Sequence, residues 1–165
     1  MIKAPVEQRV QTLGLHLTQT RRRLAVAESC TGGALAALCT SIAGSSGWFD
    51  RGWVTYSNSA KTDLLGVPAA LLQAHGAVSE QTAQAMARGA LRAAPVHLAA
   101  AVTGIAGPGG GSPTKPVGTV FIAVGAPGHV IRVRQYRFPG VRAEVREATV
   151  EAALDLLLEY HNALI

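Results

Sequence analysis

Aromatic side chains are scarce in this chain, with three Phe, three Tyr and two Trp, and charged residues make up only 15% of it. A nucleic-acid surface normally interleaves aromatic and basic residues, or carries a helix-turn-helix or zinc signature. Neither pattern is present, so the formal charge of +5 is better suited to a small anionic ligand than to a polynucleotide. No apolar run reaches the roughly 18 residues that a membrane span requires. The first residues lack the apolar centre of a signal peptide, which makes the cytoplasm the expected location. Cysteine occurs only twice, at Cys30 and Cys39, in what reads as one helical segment. That spacing matches no metal-binding pair and leaves two reduced, half-buried thiols as the expectation. His75 and His97 stand alone, and no histidine-carboxylate cluster has metal-ligand spacing.

What the chain does have is apolar material: 48% of 165 residues, enough for one domain of residues 1–165 with a core that needs no disulfide or metal. Val6, Val10, Leu13 and Leu17 recur at steps of four, three and four, which predicts an amphipathic helix within residues 1–22. Leu24 to Ala27 reads as a short buried strand. Glu28-Ser29-Cys30-Thr31-Gly32-Gly33 follows, and then an alanine- and leucine-rich helix from Ala34 to Ile42. Strand, small polar turn and helix in that order put free N–H groups and a positive dipole end beside Ser29, Thr31, Gly32 and Gly33, a place for an anion or simply a capped helix.

Two other stretches stand out. Thr103-Gly104-Ile105-Ala106-Gly107-Pro108 opens a long glycine-rich loop between the apolar run His97–Val102 and the β-rich run Val117–Val124. Such a loop lets backbone N–H groups approach a ligand, and Pro108, Pro113 and Pro116 restrict its freedom. A second β-rich run, Val130 to Phe138, alternates apolar and polar or basic residues and should pair with Val117–Val124 as a hairpin. Ser79 should cap a helix from Glu80 to Arg92 whose alanines allow close packing on a sheet.

Lysine is rarer still: three residues against twelve arginines. Lys61 lies beside an apolar segment, just after Tyr56-Ser57-Asn58-Ser59-Ala60, where Ser57 or Asn58 should cap a helix. A desolvated amine loses its proton, whereas a guanidinium does not, so lysine is the cation able to serve as a base. Ser46, in the turn Gly44-Ser45-Ser46-Gly47, completes with Tyr56 and Lys61 the set for a lysine-activated serine nucleophile. Arg142 falls in the first turn of the last predicted helix, where the dipole disfavours a structural cation, and is therefore a phosphate candidate; Arg146 competes for that role.

Ala27 to Gly33, Gly44 to Gly47, Val54 to Lys61, and Thr103 to Pro108 with Lys115 to Val120 together resemble the CinA C-terminal domain family, in order and with its spacing. The resemblance implies a single-domain α/β/α sandwich, a mixed β-sheet covered by helices. It further implies hydrolysis of the carboxamide of nicotinamide mononucleotide to nicotinate mononucleotide and ammonia in pyridine-nucleotide recycling, without a metal or organic cofactor, and a possible homodimer. A binding module of the competence or damage-inducible kind, without turnover, is the alternative. On this reading Ser46 is the preferred nucleophile and Ser29 the second candidate, with Lys61 as base and Tyr56 orienting or relaying the proton. Thr31, Gly32, Gly33, Asn58, Thr103, Gly104, Ala106, Gly107 and Arg142 are the expected substrate contacts. One departure matters: Ser59 stands where relatives often carry glutamate, so Lys61 lacks that carboxylate.

Overall fold

The computed structural model describes residues 4–164; residues 1–3 of the expected N-terminal segment and residue 165 lie outside it. In chain order the elements are α1 Ala4–Gln19, β1 Leu24–Glu28, α2 Ala34–Thr40, a single 3-10 turn at Ser45–Gly47, β2 Phe49–Val54, α3 Asn58–Leu65, α4 Ala69–His75, α5 Glu80–Ala93, β3 Leu98–Gly104, β4 Thr119–Gly125, β5 Arg132–Arg137 and α6 Arg142–Asn162. The sheet order is β2-β1-β3-β4-β5. β1 runs parallel to both β2 and β3, while β4 is antiparallel to β3 and to β5, so the sheet is mixed.

Burial explains this order. β1, β3 and β4 are nearly continuous apolar runs covered on both faces, as central strands must be. β2 and β5 mix polar and apolar residues and take the edges. The hairpin expected from Val117–Val124 and Val130–Phe138 is present, with its second strand shortened to Arg132–Arg137.

Apolar side chains fill the space on either side of the sheet. Val10, Leu13 and Leu17 of α1, Leu35 and Leu38 of α2, and Leu154 and Leu157 of α6 pack on Val26, Val102 and Ile122. Ala83, Met86, Ala87 and Ala90 of α5, with Leu65 and Leu72, pack on the small side chains Ala27, Ala99, Ala101 and Ala123. The result is a three-layer α/β/α sandwich. Cys39 lies in α2, but Cys30 lies in the turn before it and not in one helix with Cys39. Both are buried free thiols, pushed up by desolvation to about 11 and about 12.

Close packing of α5 also sets the position of α3. A Cβ on Gly89 would stand 2.1 Å from the carbonyl oxygen of Leu65, which no side-chain adjustment relieves. Gly89→Ala is expected to lower stability by about 1–3 kcal/mol, the usual cost of overpacking. A denaturant titration measures it through the midpoint. Because α3 carries Lys61, the same substitution should also reduce activity.

Candidate active site

Ser29 follows the carboxyl end of β1, and its N–H continues the sheet ladder to the carbonyl of Val102 at 3.0 Å. Crevices outside the carboxyl ends of parallel strands are where open α/β sheets bind ligands. β2 ends nearby, and Thr55 and Tyr56 turn the chain into α3, whose N-terminus is capped by Ser57 accepting from the N–H of Ala60. This short connection brings Lys61, on the first turn of α3, back beneath Ser29. The side chain is 1% exposed.

Lys61 Nζ lies 3.1 Å from Ser29 Oγ, 2.9 Å from the carbonyl oxygen of Thr55 and 3.2 Å from that of Tyr56. The two carbonyls can only accept. As an ammonium, Lys61 donates to all three oxygens; once neutral it keeps two N–H bonds for the carbonyls, and its lone pair then faces the Ser29 hydroxyl. Desolvation lowers the amine's proton affinity from its ordinary value of 10.5, opposed only by the nearby Cys30 thiol.

Glu28 supplies the local order of the serine turn. Its carboxylate is 1% exposed and accepts from the N–H groups of Gly33 (3.1 Å), Leu35 (3.0 Å) and Ala36 (2.8 Å). The N-terminus of α2, expected from sequence to hold a ligand anion, is therefore filled by the protein's own carboxylate. Thr31, Gly32 and Gly33 accordingly do not line the cleft described below. In the same turn, the N–H groups of Cys30 and Thr31 have no carbonyl or carboxylate partner among the described residues.

A cleft of about 200 Å³ opens onto Ser29 and Lys61, lined also by Cys30, Tyr56, Ala77, Val78, Thr103, Gly104, Ala106 and Arg142. Most of the sequence-predicted residues are thus gathered in one place. Thr103 Oγ1 donates to the carbonyl of Ala77 at 2.6 Å and fixes one wall. Arg142, the first residue of α6, donates through Nη1 to the carbonyl of Gly107 (2.9 Å) and through Nη2 to the Tyr56 hydroxyl (2.8 Å). Arg146, one turn on, donates to the carbonyl of Thr31 and holds the serine turn rather than facing the cleft.

Besides Thr31, Gly32 and Gly33, the predicted residues Ser46 and Asn58 lie away from the cleft, and Gly107 meets it only through Arg142. Ser46 sits exposed in the 3-10 turn, two residues before Trp48, whose carbonyl accepts from Leu24 N–H at the start of β1. Ser29 lies past the opposite end of that five-residue strand, so the two serines are on the order of 15 Å apart along it. The structure does not assemble Ser46 with Lys61 and Tyr56, because the turn carrying it leads into the amino end of β2. Asn58 is exposed on α3 and borders a separate groove between α3 and α4. Ala77 and Val78 carry no chemical signature in the sequence, and Cys30 reads there only as a half-buried thiol. Glu28 carries no signature either, because it ends β1 well ahead of the N-cap of α2 at Gly33.

The sequence matches the CinA C-terminal domain family over residues 6–161. It is 49% identical to the nicotinamide-nucleotide amidohydrolase PncC of Pseudomonas putida over 155 residues, covering 94% of this chain and 96% of that protein. A CinA-like protein of Syntrophobacter fumaroxidans is 54% identical over 147 residues, 89% of this chain and 34% of the relative, so the chain spans about a third of such longer proteins. The crystal structure of the competence/damage inducible protein CihA from Agrobacterium tumefaciens superposes with a TM-score of 0.94 at 45% identity, covering 96% of this chain and 97% of that one. Among the described residues no helix is long and apolar enough to cross a membrane. Matched along nearly its whole length in both sequence and fold, this chain belongs to the CinA C-terminal domain family.

Proposed function

We propose that this protein hydrolyses the carboxamide of nicotinamide mononucleotide, with Ser29 as nucleophile and Lys61 as its base. The observation that carries the reading is the buried Lys61 Nζ within hydrogen-bond distance of the Ser29 hydroxyl and of two backbone carbonyls. The Pseudomonas putida relative's name supports the substrate. The volume of the cleft, below the roughly 300–1,000 Å³ of typical ligand pockets, suits the pyridine carboxamide, with ribose and phosphate left at the mouth beside Tyr56 and Arg142.

In the first half-reaction Lys61 takes the Ser29 proton as Oγ attacks the amide carbon. The oxyanion that forms is met by backbone N–H groups at the wall of the cleft, that of Cys30 next to Ser29 among them, an interaction worth about 3–4 kcal/mol per well-placed donor. Lys61 then returns the proton to the amide nitrogen, the C–N bond breaks, and ammonia leaves an acyl-Ser29 ester. Water, deprotonated by the same amine, releases the nicotinate product and restores Ser29. Tyr56, at the rim of the same cleft, orients the leaving amide.

Several relatives are named for competence or damage induction, which keeps a binding role without turnover as a second reading. A pure binding module has no need of a desolvated base held against a hydroxyl. Incubating purified protein with nicotinamide mononucleotide should release ammonia and nicotinate mononucleotide in equal amounts, read by an enzyme-coupled ammonia assay and mass spectrometry. Absence of both products would overturn the amidase reading.

A further inference from the structure

We propose that Arg142 and Tyr56 form a latch that a phosphomonoester opens, so that turnover depends on the substrate's phosphate as well as on its amide. This rests on the nucleotide-amidase reading above and adds how the same site distinguishes a nucleotide from its nucleoside. Arg142 bridges the mouth of the cleft, holding Gly107 of the glycine-rich loop with Nη1 and Tyr56 with Nη2. Both partners are uncharged oxygens. The Tyr56 side that meets Arg142 is at the surface, and the residue as a whole is 58% exposed although it also lines the cleft. The phenol, whose residue lines the same cleft as Ser29 and Lys61, is therefore held outward, at the rim.

A phosphate dianion competes for the same two nitrogens on better terms. Charge-assisted hydrogen bonds are about twice as strong as neutral ones, and the guanidinium fork matches two phosphate oxygens at once. Arg142 also opens α6, a helix of 21 residues, although the positive end of its dipole is not free. Glu144 already accepts from the N–H of Val141 at that end, which leaves the guanidinium as the anion's main partner. Taking the guanidinium from Tyr56 frees the phenol to turn in over the reacting amide, and taking it from Gly107 frees the loop to follow the substrate. A riboside presents the same carboxamide and cannot open the latch. Binding energy from the remote phosphate is thereby converted into assembly of the reacting centre.

Two measurements on the wild-type protein test this. The first compares ammonia release from nicotinamide mononucleotide, from nicotinamide riboside, and from the riboside with inorganic phosphate added. The riboside should react about 100-fold more slowly or worse, and phosphate should raise its rate about tenfold or more, as expected when remote binding energy drives assembly. The second follows the three tyrosine signals of protein labelled with ¹³Cζ-tyrosine, with Tyr56 assigned by the loss of one signal in Tyr56→Phe. Inorganic phosphate should shift the Tyr56 signal in the wild type and leave it in place in Arg142→Gln. A Tyr56 signal indifferent to phosphate overturns the latch, as does a riboside rate that phosphate leaves unchanged or lowers while the mononucleotide is hydrolysed. If neither amide is hydrolysed yet the signal moves through Arg142, the latch stands and the amidase reading falls.

Discussion

Ser29→Ala should reduce ammonia release from nicotinamide mononucleotide by at least about 10⁴-fold, the scale on which removal of a hydrolase nucleophile acts. Substrate binding should survive, because Ser29 contributes one hydroxyl to a cleft whose other contacts remain. Ser46→Ala should stay within about twofold of wild type, as exposed substitutions remote from a site usually do. The two variants are near-identical changes of the same residue type, each in a small polar turn, and they differ in which end of the sheet they occupy. Adding hydroxylamine gives a further reading of the same step: the acyl group should be diverted from water to a hydroxamate in the wild type and in Ser46→Ala, and not in Ser29→Ala. A dead Ser46→Ala beside an active Ser29→Ala would reverse the assignment and require Lys61 to act without the hydroxyl 3.1 Å from it.

The sequence distinguishes these serines only if strand direction is considered. Ser29 follows a strand and Ser46 precedes one, and in a parallel arrangement ligands gather at carboxyl ends, so the order of strand and turn already favours Ser29. Chemical content alone does not, since each serine is followed by glycine in its turn and by a regular element. Local signals were read more directly. The apolar runs became the buried strands, Ser57 and Ser79 became the expected caps, and the unusual lysine became the buried amine. The role of Glu28 was beyond such reading, because its carboxylate reaches N–H groups five to eight residues ahead only once the chain has turned through Gly32 at φ +56° and Gly33 at φ +98°. That contact changes the functional reading: it removes the α2 end as a phosphate site and leaves Arg142 as the cation at the cleft.

Lys61→Met should abolish turnover to the same degree as Ser29→Ala, and in the wild type the amine should also control the pH dependence. A base acts only when unprotonated, so kcat/KM should rise with pH as Lys61 loses its proton, and level off below the ordinary lysine value of 10.5 because burial lowers the amine's affinity for the proton. Stability provides an independent check with a definite sign. The unfolded chain carries a lysine of ordinary affinity, so at pH values between the lowered folded value and 10.5 it binds more protons than the folded chain does. Stability therefore rises with pH across that window. The burial penalty is full below the lowered value and vanishes as pH approaches 10.5. Lys61→Met lacks this term, so the wild type should gain on the variant as the solution is made alkaline, whatever the offset left by the unpaired carbonyls of Thr55 and Tyr56. Urea midpoints of the two proteins at a series of pH values measure the trend. A constant difference across the alkaline range would mean that the amine keeps its ordinary affinity in the fold, and a lysine of that kind would be protonated at neutral pH and unable to take the Ser29 proton.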